Sequence, residues 1–164
     1  MVKIGLMLDM PEGKLPGFYA QIVKGLAQRV SLFDRDKELL VLNTIEERDA
    51  VLELLEHYHI PSEEMQLLLI PSDSYLFPAF SDYGFTSRAE RHYLYAHLVS
   101  TFRFSVIQNA QSNPENALLQ MEEHLLARFL DDNILNFVVD LQFIELIERI
   151  AIAYGCSVEF DLPR

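Results

Sequence analysis

Short apolar runs and stretches with helical spacing follow one another along the chain. Residues 2–8, VKIGLML, are apolar apart from Lys3 and end at Asp9, which predicts a short buried strand. The Pro/Gly stretch PEGKLPG (11–17) predicts a loop. Ile22, Leu26 and Val30 then recur at helical spacing, with Phe18, Tyr19 and Val23 beside them, and predict a helix within 18–33. SLFDRDKE (31–38) reads as a turn and LLVLN (39–43) as a second strand. Thr44 and Glu47 form a capping box that opens a helix with the stripe Val51, Leu54, Leu55 and Tyr58, closed before Pro61. MQLLLIP (65–71) predicts a third strand.

In the second half, SDSYLFPAFSDYGFT (72–86) mixes aromatics with turn formers and reads as a long irregular loop suited to a lid or a partner contact. Ser87 and Glu90 read as another capping box, opening a helix over AERHYLYAHLVSTF. RFSVIQ (103–108) predicts a strand. Asn113 with Pro114 predicts a helix start, and Leu118, Met121, Leu125 and Phe129 place one long helix behind it. NILNFVVD predicts a strand ending at Asp140, and residues 141–154 an amphipathic helix with Phe143, Ile147, Ile150 and Tyr154 in line. Gly155 stands where a left-handed helix stop belongs, and SVEFD alternates as an exit strand. The alternation of strand and helix predicts a Rossmann-like three-layer α/β/α sandwich with a mainly parallel sheet, as a single domain over 1–164 with no internal sequence repeat.

Composition narrows the classes. Half of the 164 residues are hydrophobic, so the chain can build a core and is not a disordered segment. Charges break every apolar run well short of a membrane span, and the N-terminal run is too short for a signal-peptide core. The single cysteine, Cys156, has no internal disulfide partner, which makes a cytoplasmic location the expectation. A net charge of −12 argues against a broad electrostatic grip on nucleic acid and suits a basic protein partner.

In an open parallel sheet the site lies beyond the C-terminal strand ends, where Asp9 and Asp140 would stand. Carboxylates converging there would make an oxygen-ligand site for Mg²⁺ or Mn²⁺; taken singly, each Asp reads as a cap for the turn or helix that follows. Other templates are absent from the sequence: it holds no GxGxxG, GxxxxGK[ST], CxxC or HExxH. Cys156 follows a helix C-terminus, whose dipole disfavours a thiolate.

The segment VVDLQFIELIERIAIAYGCSVEF resembles the C-terminal signature of NYN domains, members of the PIN-like nuclease superfamily. That signature is an apolar strand, Ser-Gly-Asp-x-Asp-Phe, an amphipathic helix, Gly and an alternating strand. Asp140, Phe143 and Gly155 fall on its Asp, Phe and Gly, and KIGLMLD resembles the family's first strand, with Asp9 at its end. NPENALLQMEEHLLARF places Glu115 at the start of the family's acidic helix and Glu122 two turns on. The sequence departs from the signature at Gln142, at Val138–Val139 and at Glu12, which stands near the family's usual Asn.

The resemblance implies metal-dependent cleavage of single-stranded RNA, intact or degenerate. Asp9, Glu115 and Asp140 would be catalytic, and these three, with Glu122 or Glu12 as a fourth, would hold Mg²⁺ or Mn²⁺. Glu12 would sit at the substrate. The locally basic stretch 87–103 adds Arg88 and Arg91, three apart on the expected helix, which either meet phosphates, with Tyr95 stacking on a base, or form a solvated helix face with Glu90 beside them.

Two other readings stand beside this one. One is a non-enzymatic α/β protein-binding or regulatory module that uses the acidic surface and the aromatic loop 72–86, with Tyr75, Phe77, Phe80, Tyr83 and Phe85 as contacts. The other is the acceptor-side half of a two-Rossmann glycosyltransferase, which IGLMLDMPEGKLPGFYAQIVKGLAQRV loosely resembles.

Overall fold

The computed structural model describes residues 1–13, 17–105 and 109–161. The chain forms two compact units: Met1–Leu69 with Thr86–Tyr93, and Ile70–Phe85 with the chain from Leu94 onward. The connecting stretch is thus divided between them.

The first unit runs β1 (Val2–Leu8), α1 (Phe18–Arg29), β2 (Asp34–Asp36), β3 (Leu39–Leu42), α2 (Ile45–His57) and β4 (Ser62–Ile70). Its strands lie in the order β2-β3-β1-β4. Leu6, Leu8, Leu40 and Leu42 share one sheet face and bury against Ile22 and Leu26 of α1 and Val51, Leu54 and Leu55 of α2. Each such side chain, once buried, contributes about 1.5–3 kcal/mol. Thr44 caps α2 by accepting from the Glu47 amide, as its capping box predicts.

The segment divided between the units contains β5 (Tyr75–Leu76), α3 (Phe80–Tyr83), β6 (Gly84–Thr86) and β7 (His92–Tyr95). β7 and then β6 extend the first sheet beyond β4.

The second unit continues with β8 (Val99–Phe104), α4 (Pro114–Met121), β9 (Leu125–Asp131), β10 (Ile134–Asp140), α5 (Ile144–Ala153) and β11 (Val158–Asp161). The strand order is β11-β8-β10-β9-β5. Numbering each unit's own four strands from one, both sheets run 2-3-1-4, one of them read backwards. Both units therefore have the split β-α-β, ferredoxin-like topology.

This corrects the expected Rossmann-like sandwich. The pairings β1–β3, β1–β4, β2–β3, β8–β10, β9–β10, β8–β11 and β5–β9 are all antiparallel. The error has one cause, repeated in each unit. β2 is three charged-rich residues, DRD, inside an expected turn. β9 carries Leu125 and Phe129, which continue the helical spacing of Leu118 and Met121 past the true end of α4. Each overlooked strand is the first arm of a hairpin. Without it, β-α-β-β-α-β reads as β-α-β-α-β, the parallel pattern. The Rossmann half of a glycosyltransferase loses its premise with the parallel sheet.

The expected helix over 87–102 is also corrected. Ser87 and Glu90 close a hairpin turn between β6 and β7, with the Glu90 amide donating to the Ser87 carbonyl and Glu90 at φ 62°. HYLY and VSTF, rich in aromatic and β-branched residues, then form β7 and the start of β8. Of the strand expected over 103–108, residues 106–108 lie outside the described residues. No helix among the described residues is long and apolar enough to cross a membrane.

Candidate functional site

The second unit's antiparallel register lays one row of side chains across its whole sheet. Tyr75 pairs with Arg128, Arg128 with Phe137, Phe137 with Phe102 and Phe102 with Phe160. Phe102 and Phe137 are buried and stacked, with ring centroids 5.3 Å apart, beneath α4 and α5. At the β5 end the row is open. Tyr75 is 53% exposed, with the Arg128 guanidinium 4.8 Å from its ring centroid and Phe77 edge-on at 4.9 Å.

Beside it lies an open cleft of about 630 Å³. Tyr75, Phe77 and Pro78 form one wall, and Leu119, Glu122 and Glu123 from α4 and the turn after it form the other. Leu119 is 68% exposed. On the same sheet face, one step further along β9 and β10, Leu130 and Leu135 pair directly and are both exposed. The second unit thus presents an apolar surface bordered by carboxylates.

The residues expected at a cation site are placed on several different elements. Asp140 is 7% exposed and caps the helical turn that leads into α5: its Oδ1 accepts from the Gln142 amide at 2.8 Å and its Oδ2 from the Tyr83 hydroxyl at 2.5 Å. That hydrogen bond raises the pKa of Tyr83. Glu115 is exposed in the first turn of α4, where an acid complements the helix dipole. Glu122 is exposed on the cleft wall. In the first unit, Asp9 and Glu12 are exposed in the chain leaving β1. Among the described residues no three His, Cys, Asp or Glu side chains come together as a cation site.

The expected phosphate-binding pair is separated by the hairpin geometry. Arg88 is exposed in the turn. Arg91 is drawn to a buried acid that sequence reasoning missed, Asp34 of β2. Asp34 Oδ2 accepts from the Ser87 hydroxyl at 2.6 Å and the Tyr93 hydroxyl at 2.8 Å, and lies 3.7 Å from Arg91; its Oδ1 accepts from the Arg35 amide at 2.8 Å. Burial, then the bond to Asp34, push the pKa of Tyr93 well above the ordinary tyrosine value. Tyr95 belongs to the second unit and faces Phe85, with ring centroids 6.1 Å apart. Of the aromatics expected as contacts, Phe77 and Phe80 are buried and Tyr75 is exposed.

Leu119 and Asp34 carried no motif. The signal for Leu119 is its position just off the stripe of Leu118 and Met121, and the signal for Asp34 is an acid beside the apolar strand 39–42. Comparison of the chain with known protein families, with curated proteins and with solved structures gives no match.

Proposed function

We propose that this chain is a non-enzymatic protein-binding module whose second unit takes a short partner segment with an apolar anchor flanked by Lys or Arg. The observation that carries this reading is the cleft in which exposed Tyr75 and Leu119 face one another across a rim of Glu122 and Glu123. Large apolar side chains exposed in a concave surface are suited to burial by a partner, and aromatic residues are the commonest energetic anchors of such contacts. The carboxylate rim and the chain's net charge of −12 select a basic segment and speed its approach. β5 is two residues long and is followed shortly by Pro78, features that discourage strand addition at this edge. The partner therefore inserts side chains from above and does not extend the sheet.

The test is fluorescence anisotropy with labelled peptides carrying Leu or Phe between basic residues, against the same peptides with acidic flanks. Saturable, salt-weakened binding of the basic set is expected, with Leu119→Asp reducing affinity about tenfold or more, the loss of one well-buried anchor. Equal binding of basic and acidic peptides, or full affinity in Leu119→Asp and Tyr75→Ala, would overturn the reading.

A further inference from the structure

The first unit buries a cation with no anion to answer it. Lys3 lies on the face of β1 opposite Ile4, Leu6 and Leu8, and is only 8% exposed. Its ammonium donates to Asn43 Oδ1 at 2.5 Å and sits 4.1 Å from the Phe33 ring centroid. No carboxylate among the described residues reaches it as an ion pair. Glu47 is engaged with the Asn43 amide. A contact with an aromatic face offsets only part of what burying an unanswered charge costs. Two ammonium hydrogens remain without a described partner.

The charge count beside it is equally specific. Arg91 lies over the same Phe33 ring, with its guanidinium 4.6 Å from the centroid, and donates to the Phe33 carbonyl at 3.3 Å. Its charge is shared with Asp34. Two cations against one carboxylate leave one positive charge.

We propose that Lys3, Asn43, Phe33 and Arg91 form a binding site for a single carboxylate. One negative charge balances the cluster, whereas a phosphate monoester, at about −1.5 to −2, would overshoot it. Asn43 is exposed, which places the site at the rim of the unit. Because Lys3 holds the Asn43 carbonyl oxygen, the amide N–H₂ turns away from Lys3 and is available to the same ligand. A small organic acid or a peptide chain end both supply this group.

Amide NMR titrations of the full chain separate the cases. The probes are acetate, chloride at matched ionic strength, and a short peptide with either a free or an amidated C-terminus. Acetate is expected to give saturable shifts at the Asn43 side-chain amide and at the Lys3 and Phe33 backbone amides, and chloride none. Lys3→Met, which keeps the apolar stem, is expected to weaken acetate about tenfold or more, the loss of one charge-assisted hydrogen bond. Asn43→Ala is expected to weaken it too, and the dispersion of the amide spectrum checks that the fold survives the loss of the Lys3 acceptor. Tighter binding of the free-terminus peptide than of acetate assigns the site to a chain end, and equal binding assigns it to a small acid. Identical acetate and chloride responses would overturn the proposal, as would acetate affinity unchanged in both Lys3→Met and Asn43→Ala.

Discussion

In the first unit the buried carboxylate sits on the first arm of the hairpin, at Asp34; in the second it sits at the end of the second arm, at Asp140. Each anchors a different part of the connecting stretch. Asp34 holds Ser87, Arg91 and Tyr93, and Asp140 holds Tyr83. The two units share a topology and differ in what they ask of an acid. Asp34 gathers two hydroxyl donors, one amide and an ion pair with Arg91, so nearly all its worth is tertiary. Asp140 spends one oxygen on a local helix cap, a task asparagine performs about as well.

Helix ends show the opposite, a device used twice. After α2, the Ile60 amide donates to the Leu55 carbonyl and the His59 amide to that of Glu56. After α5, the Cys156 amide donates to Ala151 and the Gly155 amide to Ile152. Both are Schellman stops, and both bury the residue that follows the left-handed position, Ile60 in one and Cys156 in the other. Cys156 is thus the packing counterpart of an isoleucine. The left-handed position itself differs: Gly155 at φ 71° in the second unit, His59 at φ 55° in the first.

The largest expected break in the comparison is Asp34→Ala, which removes the shared acceptor of the Ser87 and Tyr93 hydroxyls and the acid beside Arg91 and should cost about 3–5 kcal/mol in urea unfolding. Asp140→Asn, which keeps the cap, should cost only about 1 kcal/mol. Equal losses would erase the distinction between the two acids.

Tyr93→Phe should follow, at about 1.5–3 kcal/mol for a hydrogen bond to a charged group. It also carries a pH signature. Burial and Asp34 hold the folded Tyr93 pKa above that of the unfolded chain, so above about pH 10 the unfolded state releases a proton that the folded state keeps. Stability is therefore full below that pH and falls as pH rises through it. The urea midpoint of Tyr93→Phe should decline less steeply between about pH 9 and 11 than that of the parent. Some slope will persist, because Tyr19, through burial, and Tyr83, through Asp140, are raised as well.

The helix stops supply the last pair of changes. Gly155→Ala places a Cβ 3.0 Å from the Gln111 carbonyl oxygen at positive φ and should lower the melting midpoint by an amount equivalent to about 1–2 kcal/mol. His59→Gly relieves the same strain in the first unit and should raise it, by less than about 1 kcal/mol. Shifts of the same sign would show that the two stops are not equivalent.

Local signals were legible in the sequence. Thr44 with Glu47, Asn113 with Pro114, and Gly155 all stand where their motifs place them, because caps depend on a few adjacent residues. The hairpins were not legible, because β2 is short and charged and β9 borrows the spacing of α4. One clue to the second hairpin is Asp132–Asn133, both at positive φ, the residue types that a tight hairpin turn favours. Ser87-x-x-Glu90 shows the reverse hazard, a helix-start pattern that closes a β-turn. The cleft was half legible: the aromatic stretch 72–86 marks its place, but only the fold shows that Tyr75 faces outward while Phe77 and Phe80 are buried.

The assignment of Thr86–Tyr93 to the first unit has a consequence for synthesis. When residue 69 leaves the ribosome, Asp34 has already emerged, but Ser87, Arg91 and Tyr93 have not. Its side-chain partners arrive roughly two dozen residues later, about 1–5 s at ordinary elongation rates. Through that interval the carboxylate of the nascent unit is held by the Arg35 amide without its three side-chain partners, and the set is complete only once Tyr93 is free.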